Sequence, residues 1–351
     1  MPVGYGLFFV VTLLLSFIWA RTIPLRLLLF SINLCFACCY AEKELLWKYY
    51  SIIVWICAVF FLVQEASFVI LGIRPSGLLS FLPTVYGDSY AGIIEETATG
   101  GRSSSFFLEP SYFAQFLVPY VAISLFSSLK VERRKAILVS VILLLIRSGV
   151  GILLLSIIWL LWFLFTDLKA HTKISALILI TMALIVFIYA DNDFLGYFMG
   201  RSSELLSYTG DEQYQSSGFI RIFRGYFAFA DLPTMNKLLG SNPADVHATF
   251  DRSVYFGTES TDYINGMQTL LFYHGIVGAV FFLRHLFLFP YKTGNKTLLV
   301  LSISIVLLLL VESFYLSSRL FVMTVFMYLL HEECIKRRDE KRQQITNTVG
   351  L

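Results

Sequence analysis

The chain is 351 residues long, 57% of them from the set AVILMFWYC and only 15% charged, with a formal charge of +3 and a mean hydropathy of +0.73. Soluble domains run near 45–50% apolar and about 25% charged, and the excess here is laid out in blocks long enough to cross a hydrocarbon core of roughly 30 Å. That excludes a soluble enzyme, a disordered chain and a collagen-like fibre, and it predicts an all-α polytopic membrane protein.

The N-terminal stretch MPVGYGLFFVVTLLLSFIWA lacks a basic n-region and an A-x-A-like cleavage site, so it reads as a membrane helix and not a signal peptide. About ten spans are predicted, near 3–20, 24–41, 47–71, 106–128, 135–147, 149–166, 173–190, 264–289, 297–312 and 315–333. The chain then divides into a seven-span region, 1–190, with an outer loop at 72–105; a large outer loop, 191–263, with an amphipathic helix; three last spans within 264–333; and a basic cytoplasmic tail, 334–351. Residues 135–166 as one helix would run to about 48 Å, far beyond a bilayer's need. They would also carry the basic connection KVERRK to the outer side. A tight turn at Arg147-Ser148-Gly149 resolves both conflicts.

With that alternation the connections EKELLWK, KVERRK, DLKAHTK, YKTGNK and the tail all fall on one side with both termini. The positive-inside rule makes that side the cytoplasm. The basic residues then separate by type: ten Lys and five Arg lie inside, whereas ten Arg and the single Lys237 lie outside. Topology selection does not distinguish Arg from Lys, but planar, bidentate recognition of phosphate or carboxylate does. An Arg-rich outer face implies an anionic ligand there, with interfacial Arg on lipid headgroups as the alternative. Cys35, Cys38, Cys39, Cys57 and Cys334 sit in or beside apolar runs, so they read as packing residues and give neither a disulfide framework nor a metal site.

Four motifs carry candidate chemistry. FFLEPSYFAQFLVPYV opens the fourth span with Glu109 as N-cap or first-turn acid and Pro110 at N1; Glu109 is either a good helix start or a carboxylate at a cavity mouth. IRSGVG places Arg147 between two apolar runs, as a ligand-binding charge or a snorkelling helix end. SSGFIRIFRGYFAFADL sets Arg221 and Arg224 three apart among aromatics, on one helical face suited to a diphosphate or to headgroups. TDYINGMQTLLFYHGIVG leads Asp262 into the eighth span, where His274 beside Gly275 and Gly278 reads as a hydrogen-bonded packing residue. His247, in NPADVHATF, is a candidate base in the outer loop. No Walker A, Rossmann glycine, HExxH or GxSxG motif is present, so energy must come from an activated substrate or a gradient.

FFLEPSYFAQFLVPY, the RSGVG turn, an Arg-bearing late outer loop with LLGSNP, and DYINGMQTLLFYHGIVG together resemble the bacterial O-antigen polymerase family and its wider group of O-antigen ligases and capsule or exopolysaccharide polymerases, over roughly 100–290. The resemblance implies a GT-C-like glycosyltransferase of the bacterial inner membrane, its site facing the periplasm or outside. It implies no cofactor, metal or nucleic acid. Its substrates would be undecaprenyl-pyrophosphate-linked oligosaccharides at the lipid surface, and its partners a chain-length regulator and a flippase. By position Arg147 matches the family's S-R-[TS]-G arginine, with Ile146 in place of Ser, and Arg221 matches the large-loop arginine. Ligases commonly carry His-Asn where this chain has Ile264-Asn265, which favours a polymerase.

The expected reaction is attack by an acceptor hydroxyl on the donor's anomeric carbon. Arg147, Arg221, Arg224 and Arg102 would bind the pyrophosphate, with Asp262, Glu109 or His247 as the base. A ligase, a lipid-linked oligosaccharide flippase and a non-catalytic scaffold remain the alternatives.

Overall fold

The computed structural model describes residues 3–77, 102–126, 133–166, 220–252 and 264–349. Among these residues every regular element is helical: twelve α-helices and one π turn, with no strand. In chain order they are α1 (Val3–Ile18), α2 (Leu25–Tyr40), α3 (Lys43–Leu71), α4 (Pro110–Phe126), α5 (Arg133–Leu145), α6 (Gly149–Phe165), the π turn Ile220–Arg224, α7 (Gly225–Ala230), α8 (Thr234–Leu239), α9 (Pro243–Arg252), α10 (Gly266–Thr293), α11 (Lys296–Val311) and α12 (Ser318–Val349). Nine of the ten predicted apolar stretches are thus helical; the tenth, 173–190, lies outside the described residues. Two helices, α3 and α10, are long and apolar enough to cross a membrane, and α1, α2, α4, α6 and α11 are shorter apolar helices. The described residues fall into two compact units, one of residues 41–162 and one of residues 1–40 with 163–351.

In the 41–162 unit, α3 turns Tyr50, Val54, Cys57, Phe61 and Gln64 inward, the i, i+4, i+7 stripe of a one-sided helix. Helix α4 is buried continuously from Phe113 to Ser124 apart from half-buried Phe116 and forms the centre of this unit. Helices α5 and α6 are separate, and the turn falls at Arg147 with φ 55°, so the split expected from the length of 135–166 is observed. The segment before α4 is pinned to α3: Gln64 accepts from Ser105 N at 2.8 Å and donates to Pro75 O at 2.8 Å, while Ser105 Oγ donates to Cys57 O at 2.8 Å. These bonds satisfy a buried amide and hydroxyl that would otherwise be costly among apolar neighbours.

In the other unit, α1 buries Tyr5, Phe8, Thr12 and Ser16 against α10, and α10 packs on α11 and α8. An aromatic cluster of Tyr5, Phe282, His285, Phe289 and Tyr328 joins α1, α10 and α12. Within it Tyr328 Oη and His285 Nε2 are 3.0 Å apart.

Helix α10 is not the unbroken rod that its apolar run predicts. Gly275 adopts φ 65°, ψ −174° and breaks it after nine residues. The cause is α8. A Cβ at Gly275 would sit 2.2 Å from Leu238 O, and one at Gly240 (φ 94°) would sit 2.4 Å from Tyr273 O. Two glycines therefore let backbone meet backbone where side chains have no room. The carbonyl freed by the break is taken by the loop: Ser241 N donates to Phe272 O at 2.7 Å, and Trp19 Nε1 closes the contact on Gly240 O at 3.0 Å. Helix α12 runs on through the basic tail to Val349, where Glu332 and Lys336 stand four apart in the favourable order for a helix.

Candidate functional site

The start of α4 follows the expected design. Pro110 is its first residue and Glu109 is the cap, its carbonyl accepting from Tyr112 N at 3.1 Å and Phe113 N at 3.3 Å. The Glu109 carboxylate is exposed and accepts from Ser111 Oγ at 3.0 Å. Helix α6 begins beside it, because Gly151 has no Cβ to collide with that of Ala114, which would lie 2.8 Å away. The N-termini of α4 and α6, with Glu109 and Arg147 just ahead of them, thus stand at the same end of this unit.

The three arginines at that end differ in what holds them. Arg74 is buried and held through Nε and its ring face: Nε donates to Ser103 Oγ at 3.1 Å and lies 3.6 Å from Glu65 Oε1, and the guanidinium sits 3.4 Å over the Phe68 ring, while Nη1 is buried without a hydrogen bond among the described residues. It is a structural tie. Arg102 is exposed and donates from Nη1 to the main-chain oxygen of Arg147 at 2.9 Å. Arg147 is exposed, and its backbone is left-handed with φ 55°, a conformation costing about 1–2 kcal/mol for a residue with a Cβ. Among the described residues no hydrogen bond or ion pair engages its guanidinium. Next to it Ser148 Oγ accepts from Gly151 N at 3.4 Å, and Gly149 faces open space. Two exposed arginines, one bonded to the main chain of the other, thus stand just ahead of a helix N-terminus, the kind of end that favours negative charge.

The large-loop arginines behave otherwise. Residues 220–224 wind as a π turn, so residues three apart fan more widely than the α-helical face expected for Arg221 and Arg224. Arg224 is buried, its guanidinium 5.1 Å from the centroid of Phe250; an arginine so enclosed is not an exposed clamp. The side chains of Arg221 and His247 lie outside the described residues, as does Asp262. The π turn is held from below by α10. Gln268 Nε2 donates to Ile222 O at 2.7 Å, Asn265 Nδ2 donates to Leu310 O at 2.9 Å, and Asn265 and Gln268 cap each other's backbone at 2.9 and 3.0 Å. Asn265-x-x-Gln268 is a capping box, a signal that spacing alone carries and that sequence reasoning passed over. Tyr226 lies beside this box, where burial pushes its phenol up and the Asn265 side chain partly offsets that.

His274 is the hydrogen-bonded packing residue expected, buried and 2.8 Å from Tyr315 Oη through Nε2. Among the described residues no group of three His, Cys, Asp or Glu side chains is placed to hold a metal, and the five cysteines are free thiols. Compared with protein-family models, curated proteins and solved structures, the chain matches none.

Proposed function

We propose that this chain is a multi-pass glycosyltransferase of the bacterial cytoplasmic membrane that polymerises lipid-linked repeat units on the outer face. The observation that carries the reading is Arg147: a strained, exposed arginine whose carbonyl is held by Arg102 and whose guanidinium is left for a ligand. Non-glycine residues kept in the left-handed region cluster at functional sites. Membrane placement is supported by α3, which is strongly apolar yet has only 28% of its most apolar stretch buried. Ile52, Ile56, Val59 and Val63 all lie open, a surface that lipid covers and water does not.

In the reaction the acceptor hydroxyl oxygen attacks the anomeric carbon of the donor. The bond from that carbon to the pyrophosphate oxygen breaks, and undecaprenyl pyrophosphate leaves with the electron pair. The hydroxyl proton passes to a carboxylate or imidazole. Arg102 and Arg147 meet the charge growing on the leaving group, the largest usual catalytic contribution. Glu109 is the candidate base in this unit; Asp262 and His247 are its rivals, and Arg221 a further pyrophosphate ligand, on their sequence positions alone. Burial of Arg224 makes it the weaker of the two loop arginines for that task.

The test is deletion in the native host, with gel separation of surface and lipid-linked glycans. Loss of the ladder with single repeat units still exported and attached is the expected result. Polymer retained on its carrier would identify a ligase, repeats trapped on the cytoplasmic side a flippase, and an unchanged ladder would remove the reading.

A further inference from the structure

Helix α3 has a second face. On the side away from its inward stripe, Lys48, Ile52, Trp55, Val59 and Val63 recur at helical spacing and line a groove of about 780 Å³ within the 41–162 unit. Two residues from outside α3 complete it: Lys135, from the first turn of α5, and Phe106, just ahead of α4. None of the lining residues is acidic.

The groove is polar at one end only. Helix α4 runs antiparallel to α3, with Tyr120 stacked on Trp47 and Phe113 against Phe61, and α5 starts shortly after α4 ends. Lys135 therefore stands at the same end as Lys48, where Ser51 adds a hydroxyl. This is where the basic connections EKELLWK and KVERRK meet, on the side that the charge pattern makes cytoplasmic. Glu44, four residues before Lys48, makes no ion pair with it among the described residues, and Arg133 is turned to the Trp162 ring at 5.8 Å. Away from the lysines the lining is apolar, and it closes where Phe60 stacks on Phe106 at 4.4 Å. Trp55 is a fixed wall, its Nε1 donating to Tyr120 Oη at 3.3 Å. From Lys48 to Phe60 the helix rises about 18 Å at about 1.5 Å per residue, close to the roughly 15 Å of hydrocarbon in one leaflet.

We propose that this groove holds one anionic glycerophospholipid of the cytoplasmic leaflet, its phosphate between Lys48 and Lys135 and its acyl chains along Ile52, Ile56, Val59 and Val63. Basic pockets at the cytoplasmic ends of membrane helices recognise such headgroups. Lysine serves phosphate as a point charge, and a phosphodiester asks for no more. A zwitterionic headgroup would bring an ammonium against two others, and free phosphate would leave the apolar length bare. The inference rests on the membrane placement in the proposed function and not on glycosyl transfer.

The experiment uses the full chain in detergent, titrated with phosphatidylglycerol or phosphatidylethanolamine of identical acyl chains and read by native mass spectrometry. Wild type is expected to bind one equivalent of phosphatidylglycerol about tenfold or more tightly than phosphatidylethanolamine. Lys48→Gln and Lys135→Gln should each weaken phosphatidylglycerol about fivefold, and the double variant about thirtyfold. Both side chains are exposed, so folding is not at stake. Lys292→Gln removes an exposed lysine of the other unit and should change nothing; a loss as large as that of Lys48→Gln would mean bulk charge and overturns the site. Val59→Trp fills the groove with both lysines kept and should weaken both lipids, and an unchanged affinity overturns the placement of the chains. Equal affinity of wild type for the two lipids overturns the inference and leaves the membrane reading intact, whereas a chain that stays monomeric without detergent overturns both. Displacement by an equal concentration of inorganic phosphate would make this a phosphate site and overturns the lipid.

Discussion

Arg147→Gly separates a structural from a functional role for this arginine. The native residue holds φ 55°, which costs about 1–2 kcal/mol with a Cβ and nothing for glycine. Glycine also frees the unfolded chain, a loss of about 0.4–1 kcal/mol. The bond from Arg102 goes to the main-chain oxygen of residue 147, so it survives the substitution. Folding stability should then stay level or rise by up to about 1.6 kcal/mol, a Tm change of about 0 to +6 °C at about 2–4 °C per kcal/mol. Activity should move the other way. If the guanidinium is aimed at the leaving pyrophosphate, turnover falls about 10²–10³-fold, or about 2.7–4 kcal/mol of transition-state stabilisation. The assay pairs thermal unfolding of purified protein with the glycan ladder in a complemented deletion strain. A wild-type ladder in Arg147→Gly refutes the role outright. A ladder lost in step with a Tm fall of many degrees refutes it too, because the arginine would then be a structural prop. Arg147→Lys refines the result: a point charge cannot reproduce the planar fork, so activity should lie between the two.

Gly275→Ala should be severely destabilising, by about 3 kcal/mol or more, since strain at such a φ, ψ costs of order 1–3 kcal/mol and a Cβ 2.2 Å from Leu238 O forces α8 away. Gly6→Ala, with nothing within 4 Å, should be neutral or stabilising; equal unfolding temperatures for the two variants would show the α8–α10 contact to be unimportant. Asn265→Ala removes a cap worth about 0.5–2 kcal/mol and leaves Leu310 O without its donor. Asn265→Asp keeps the acceptor for Gln268 N but sets a carboxylate against that carbonyl, so it should unfold below wild type despite being a good capping residue; a wild-type Tm for Asp would show that the amide is not needed. Trp19→Phe should lower stability by about 1 kcal/mol through the lost bond to Gly240 O, and an unchanged melting curve would count against that bond.

Legibility from sequence followed the range of the interaction involved. The apolar helices are legible because their signal is local, and Pro110 and the Arg147-Ser148-Gly149 turn are legible because proline geometry and excess length leave few alternatives. The break at Gly275 is not. A glycine in an apolar run reads as a small packing residue, and what makes it a break is the backbone of Leu238 and Gly240, some 35 positions earlier. The same holds for the π turn, whose alternation of arginines and aromatics fits an α-helix equally well until Asn265 and Gln268 claim Ile222 O. At the candidate site, the residue types and Arg147's place in a turn were readable. That Arg74 is held by Glu65 and Ser103, that Arg224 is enclosed against Phe250, and that Lys48 shares a groove with Lys135 were not, because each depends on a neighbour distant in sequence.

The division into units has a consequence for biosynthesis. Residues 41–162 form one unit from a single stretch of chain, whereas the other draws on both ends. The first can close as soon as it leaves the ribosome. Helices α1 and α2 must instead wait for α10 and α12, roughly 280 residues later, which is about 15–60 s at the usual rates of about 5–20 residues per second. Their inward faces are suited to the delay. Thr12 Oγ1 donates to Phe8 O at 2.8 Å and Ser31 Oγ to Leu27 O at 2.7 Å, bonds made within their own helices. Each waiting helix has already paired these hydroxyls, and only afterwards does Tyr328 arrive beside Tyr5.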